Sequence, residues 1–125
     1  MLHEQITGGI IKCFYQVYNT LGYGFLEKVY QNALFLELRD RGFKVEARQM
    51  IKVYYRGLPV GEYFADLMVN DTIILELKAV ECIVEEHERQ LIIYLKGTRA
   101  EVGLLLNFGR KPEFRRKVFE INKKH

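Results

Sequence analysis

An acid and a base two residues apart, Glu76 and Lys78, stand in the run Ile73-Ile74-Leu75-Glu76-Leu77-Lys78-Ala79-Val80, and a second acid, Asp66, lies upstream among Ala65, Leu67 and Val69. Both runs have the period-two pattern of β-strands, whose successive side chains point to opposite faces. Leu75, Leu77 and Ala79 then share one face and Glu76 and Lys78 the other, while Asp66 faces away from Ala65, Leu67 and Val69. The two carboxylates converge if Val69 pairs with Ile73 across a three-residue loop, Asn70-Asp71-Thr72. A two-residue turn would pair Val69 with Thr72 and throw the acids onto opposite faces. Asn and Asp tolerate the left-handed backbone that a three-residue loop contains. Two neighbouring carboxylates repel each other in a dry site, and a hard divalent cation, Mg²⁺ or Mn²⁺, is their natural counter-charge. Such a cation can activate water and neutralise charge on phosphorus during phosphodiester hydrolysis, while a lysine holds the nucleophile or stabilises the transition state. Cross-strand acid pairs and Glu/Lys pairs on a solvated sheet face give the same pattern with no chemistry attached.

The rest of the chain must hold those strands. Ile6, Ile10, Phe14, Val17 and Leu21 recur at helical spacing and predict a first helix from about Leu2 to Thr20, broken at Gly22 and Gly24. Leu26, Val29, Tyr30, Ala33 and Leu34 begin a second, which runs to about Arg41 and is stopped by Gly42. Phe43, Val45 and Ala47 then alternate with polar residues, and Ile51, Val53 and Tyr55 resume the set after a bulge, giving strand one. Arg56-Gly57-Leu58-Pro59 reads as a turn, and residues 61–69 and 73–81 as strands two and three. Glu85 to Lys96 is helical with Gly97 as terminator. The apolar run Val102 to Phe108 suits a strand covered on both faces, parallel to strand three through a right-handed crossover. Pro112 starts a last helix reaching about Asn122. The expected architecture is α/β, in the order ααβββαβα, with a four-stranded mixed sheet flanked by helices in one domain over residues 1–125.

Composition narrows the function classes. At 125 residues and 49% apolar content the chain can bury one core. No apolar stretch approaches the roughly 20 residues of a membrane span, and the amino terminus lacks a secretory pattern, so the expectation is a cytoplasmic protein with no membrane partner. Cys13 and Cys82 belong to no CxxC or Cys/His cluster and read as buried free thiols. The net charge of +3 is uneven: residues 110–125 sum to +5. Arg110, Lys111, Arg115 and Arg116 in that segment form a candidate phosphate-binding surface, or equally a solvated terminal helix.

Asp66 followed by Glu76-Leu77-Lys78 resembles the signature of the PD-(D/E)XK nuclease superfamily, and helix, three strands, helix, strand resembles its restriction-endonuclease-like core. Gly24-Phe25-Leu26-Glu27-Lys28-Val29-Tyr30 matches the GxxExxY motif of a small-protein family assigned to that superfamily. Leu21-Gly22, Val80-Glu81 and the run from Val102 to Gly109 are similar to that family as well. The resemblance implies Asp66, Glu76, the Leu77 carbonyl and Glu27 as metal ligands and Lys78 as the catalytic lysine. On helix rules alone Glu27 is an ordinary first-turn acid. The literal Pro-Asp is absent, since Phe64 and Ala65 precede Asp66.

Gln90 and Tyr94 form a QxxxY pattern similar to one in the RecB-like branch of the superfamily, and share one helix face with His87. They are candidates for positioning substrate phosphate; a packed tyrosine beside a solvated glutamine is the bland alternative. His87 is not assigned to the metal. The stripe Tyr54, Tyr55, Tyr63 and Phe64 suits base stacking, strand packing or a homodimer interface. The implied function is Mg²⁺-dependent cleavage of nucleic acid, DNA ahead of RNA. The competing reading is an inactive module of the same fold that binds nucleic acid or a protein.

Overall fold

In the computed structural model, which describes residues 3–120, the opening helices are α1 (Glu4–Leu21) and α2 (Glu27–Asp40). Of the expected stripes, Ile10, Phe14 and Val17 on α1 and Tyr30 and Leu34 on α2 are buried. Leu26 and Val29 are exposed instead, Leu38 joins the buried set one turn on, and of the two thiols Cys13 is buried but Cys82 is exposed. Between them the chain turns through Gly22 (φ 71°) and Gly24 (φ 112°), values that L side chains rarely adopt. Strands β1 (Val45–Tyr55), β2 (Leu58–Val69), β3 (Ile73–Lys78), β4 (Val102–Phe108) and β5 (Pro112–Val118) form one sheet in that order, and α3 (Glu85–Lys96) joins β3 to β4. Only β3 and β4 are parallel.

The central strands are buried on both faces, as a parallel pair under helices must be. Leu75, Leu77, Leu104 and Leu106 pack with α1 and α2, while Ile74 and Leu105 pack with Leu91, Tyr94 and Leu95 of α3. Each such side chain, fully buried, contributes on the order of 1.5–3 kcal/mol. The sheet is therefore a rigid floor sandwiched between two cores. Among the described residues, no helix is long and apolar enough to cross a membrane.

Three boundaries differ from expectation. The first hairpin turn is only Arg56-Gly57, both at positive φ (53° and 79°); Leu58 and Pro59 already pair with Tyr55 and Tyr54. A two-residue turn of this kind matches the strand twist, and Pro is acceptable at the start of a strand. Strand three stops at Lys78 instead of running to residue 81.

The third difference is a change of type. The expected helix from Pro112 is instead strand β5, paired antiparallel with β4 from Phe108–Pro112 to Val102–Val118; residues 121 and 122 of that expected helix lie outside the described residues. A seven-residue strand buried on both faces cannot leave one edge without hydrogen-bond partners. That long-range demand outweighs the weak helix-start signal of one proline. The segment does alternate: Phe114 joins the α1/α2 core, and Lys117 on the opposite face pairs with Glu88 of α3 at 2.6 Å. Among the described residues the sheet has five strands, not four.

Candidate active site

β2 and β3 pair as Val69–Ile73, Met68–Ile74 and Leu67–Leu75, around a loop with Asn70 (φ 51°) and Asp71 (φ 57°) in the left-handed region. This is the register that convergence of the acids requires. The ladder then stops, and at the next position side chains replace its rungs. The Asp66 N–H donates to Glu76 Oε1 at 3.1 Å, and the Leu77 N–H donates to Asp66 Oδ2 at 2.8 Å. Each acid thus accepts an amide that the diverging strands would leave unpaired.

The divergence also shifts the pleat. Ala65, Leu67 and Val69 were expected on one face, but Ala65 joins Ile51 in the α3 core whereas Leu67 and Val69 lie in the α1/α2 core. The alternation changes phase at Asp66. Across from it, between the pairs Ala47–Leu67 and Gln49–Ala65, stands Arg48 with φ 53°. Beyond this kink the β1–β2 hairpin exposes Tyr54, Tyr55, Leu58 and Val60.

Charge at the gap is strongly perturbed. Glu76 is 5% exposed, and its carboxyl is pushed up to about 8, first by burial and then by the charge of Asp66, with Glu27 adding to both. The Asp66 N–H and Lys78 pull it back. Asp66 is itself raised by burial, against the Leu77 N–H and the charges of Lys78, Arg48 and Lys28. Glu27, exposed as a residue, has its carboxyl raised by partial burial and then by Asp66, with Lys78 opposing. Glu27, Asp66, Glu76 and Lys78 therefore sit in one another's field. Asp66 Oδ1 and Glu76 Oε2 accept no hydrogen bond among the described residues. Oxygen donors with raised carboxyls suit a hard cation, which would relieve the repulsion that raises them. Among the described residues, no three His, Cys, Asp or Glu side chains gather closely enough to hold an ion by themselves.

The GxxExxY stretch places Glu27. The Tyr30 hydroxyl donates to the Gly22 carbonyl at 2.6 Å and accepts the Phe25 N–H at 3.2 Å, and its ring stacks on Phe108 at 4.4 Å. Tyr30 thereby pins the loop that leads into Glu27, the first residue of α2. Tyr30→Phe is expected to destabilise the protein by about 1–2 kcal/mol, because a part-buried carbonyl and amide lose their partner. A urea titration measures it, and an unchanged midpoint would contradict this role for the hydroxyl.

Two positioning residues were not singled out from sequence. Asn107, fully buried and opposite Lys78 in β4, accepts the Val80 N–H and donates to the Val80 carbonyl, both at 3.0 Å. It clamps the chain just past Lys78. Gly109 lies so close to the Val80 carbonyl that no Cβ fits. A polar residue inside a continuous apolar run was the available signal for Asn107. Gln31 of α2, also buried, donates to the Asp66 carbonyl at 3.3 Å.

From α3, Gln90 Nε2 donates to the Tyr94 hydroxyl at 3.1 Å. Tyr94 is pushed up to about 12, first by burial, then by the charges of Glu76 and Asp66. The QxxxY pair thus faces the acids, beside a cavity of about 470 Å³ that Tyr63, Gln90 and Tyr94 help to line. His87 Nδ1 accepts the Val84 N–H at 3.2 Å, so it caps the start of α3.

A family model described as the PD-(D/E)XK nuclease superfamily matches residues 4–117. The chain belongs to that superfamily. Its α/β architecture, a mixed five-stranded sheet flanked by helices, is the restriction-endonuclease-like fold of PD-(D/E)XK proteins. PD-(D/E)XK nucleases typically use divalent metal ions. The solved structure titled "Crystal structure of SSO0001" is similar in fold, with a TM-score of 0.62 at 20% identity over 78% of this chain. The chain spans about half of that structure, 52% of its length. No curated protein matches the chain.

Asp66 and Glu76 do not share their surroundings with the carboxy-terminal basic residues. Alternation along β5 sends Arg115 and Arg116 to opposite faces. Arg115 pairs with Glu113, and Arg110 with Glu81 at 3.5 Å. Lys111 is exposed in the β4–β5 turn. Lys123 and Lys124 lie outside the described residues.

Proposed function

We propose that this chain is a divalent-metal-dependent nuclease of the GxxExxY group, one cytoplasmic domain hydrolysing phosphodiester bonds of nucleic acid, DNA ahead of RNA. What supports this reading above all is the pair Asp66 and Glu76, two raised carboxyls bridging the gap between β2 and β3 with Lys78 on the same strand. Asp66 Oδ1, Glu76 Oε2, the Leu77 carbonyl and Glu27 would hold Mg²⁺ or Mn²⁺. When bound, the ion supplies Lewis-acid chemistry: an activated water and neutralised charge on phosphorus.

The protein's own groups do the rest. Lys78 steadies the attacking oxygen and the negative charge that grows on the phosphoryl oxygens. Glu76, once its proton has left, gives the site a second anionic oxygen to set against a cation's charge. Tyr94, kept protonated well above neutral pH and oriented by Gln90, offers a hydroxyl to a phosphate oxygen. The buried Glu76 and the α3 core behind it keep bulk water from screening these charges.

The test is cleavage of labelled DNA and RNA strands in Mg²⁺ or Mn²⁺ and in chelator, for the wild type and Asp66→Asn. Asparagine keeps an oxygen for the Leu77 N–H while removing the charge. Metal-dependent cutting lost in Asp66→Asn is the expected result; equal cutting by both would remove Asp66 from the site. The second reading, a non-catalytic module, is favoured by the lack of a close three-residue ligand group among the described residues. Salt-dependent binding without cleavage in either metal would select it.

A further inference from the structure

Arg48 occupies a place that only a backbone irregularity provides. It lies across β1–β2 from Asp66, between the pairs Ala47–Leu67 and Gln49–Ala65, at the point where the pleat changes phase. Its φ of 53° is unfavourable for a long, unbranched side chain, where glycine or asparagine would be at ease. Such a conformation persists where the surrounding structure imposes it, and it clusters at functional sites. Its guanidinium lies over the ring of Phe64, 5.0 Å from the centroid, two residues before Asp66 along β2. The register and the ring contact therefore put Arg48 beside the stretch of β2 that carries Asp66.

The guanidinium is also available. Arg48 is exposed and makes no ion pair among the described residues, and the Phe64 ring restrains it without using its N–H donors. Its charge reaches Asp66, as do those of Lys78 and Lys28, whereas none of Arg110, Lys111, Arg115 and Arg116 acts on that carboxyl. Lys78 already stands at the reacting centre. A second, planar, always-charged donor beside the acids has the geometry to grip a phosphate by two N–H groups.

We propose that Arg48 binds the nucleic-acid backbone at the phosphate next to the one being cut, holding the strand in register over Asp66 and Glu76. This rests on the nuclease reading and assigns the phosphate track to the β1–β2 kink instead of the carboxy-terminal basic segment. A contact to a neighbouring phosphate is made equally in the ground and transition states, so its loss raises KM and spares kcat.

The experiment uses the full chain and a labelled DNA strand. Arg48→Asn tolerates the left-handed backbone, so it removes the guanidinium while keeping the kink. The expected result is a KM raised by ~10–100-fold, with kcat within a factor of about two and an unchanged or higher Tm. Binding is read in a Lys78→Ala background, where the strand is not consumed, across a KCl series. There Arg48→Asn lowers the salt slope of binding by about one and Arg48→Lys restores it. A role confined to folding would leave that slope alone. Wild-type cleavage with an unchanged KM and slope in Arg48→Asn overturns this assignment while leaving the nuclease standing. Wild-type protein that neither binds nor cuts the strand overturns both.

Discussion

Lys78→Ala is expected to lower kcat for metal-dependent cleavage by about 10²–10³-fold while shifting unfolding stability by less than about 1 kcal/mol. The asymmetry follows from where the side chain sits. Lys78 is the last residue of β3, half-buried, and its strand position is held by backbone pairing with Asn107 and by the Asn107–Val80 clamp. Its ammonium makes no ion pair among the described residues, so folding draws little on it. Its charge falls on Glu27, Asp66 and Glu76 alike, and in each it favours the ionised form. A second signature follows: without the lysine those carboxyls rise further, and the acid limb of the pH–rate profile moves to higher pH. Single-turnover kinetics over a pH series reads both effects. Wild-type rates with an unmoved acid limb would mean that Lys78 is an ordinary strand-end lysine.

The metal-free protein is expected to lose stability as pH rises from about 5 to about 8, the reverse of the usual carboxylate trend. Glu76 titrates near 4.5 in an ordinary setting and near 8 in the fold. Between those values the folded protein keeps a proton that the unfolded chain has released. The unfolded state then binds fewer protons, so stability falls as pH increases, by up to about 1.4 kcal/mol per pH unit. The contribution is full below 4.5 and gone above about 8. Asp66 and Glu27 are raised as well and add to the decline in the lower part of the window. Thermal melts in chelator from pH 5 to 9 should show the slope in the wild type and a flatter one in Glu76→Gln. Mg²⁺ competes with the proton, so its stabilising effect should grow with pH and its binding should release protons into the buffer. Parallel curves for the two proteins would show that Glu76 titrates normally.

The register of the acids was legible because it is a local matter. Period-two patterning on both sides of a loop rich in Asn and Asp leaves few ways to pair Val69, and Val69–Ile73 is the one found. The helical pair and the crossover were legible for the same reason, through uninterrupted apolar stripes on single elements. What escaped was non-local. β5 forms because β4 needs a second neighbour, a demand written nowhere in residues 112–118 themselves. The phase change at Asp66 escaped because face assignment presumes a regular pleat, and only a non-glycine at positive φ, Arg48, marks the break. Asn107 could have been found: an amide inside Val102–Phe108 must satisfy its hydrogen bonds somewhere. The carboxy-terminal charge could not be placed from sequence, since the strand alternation of β5 splits Arg115 from Arg116.

The reciprocal bonds between β2 and β3 carry one more implication. Asp66 and Glu76 serve the sheet and the proposed ion with the same two carboxyl groups, so the amide hydrogens of Asp66 and Leu77 report on what those groups are doing. A ligand that tightens the carboxyls should slow deuterium uptake at both amides together, and one that draws them away should quicken it. Two backbone amides would thus serve as an internal gauge of occupancy.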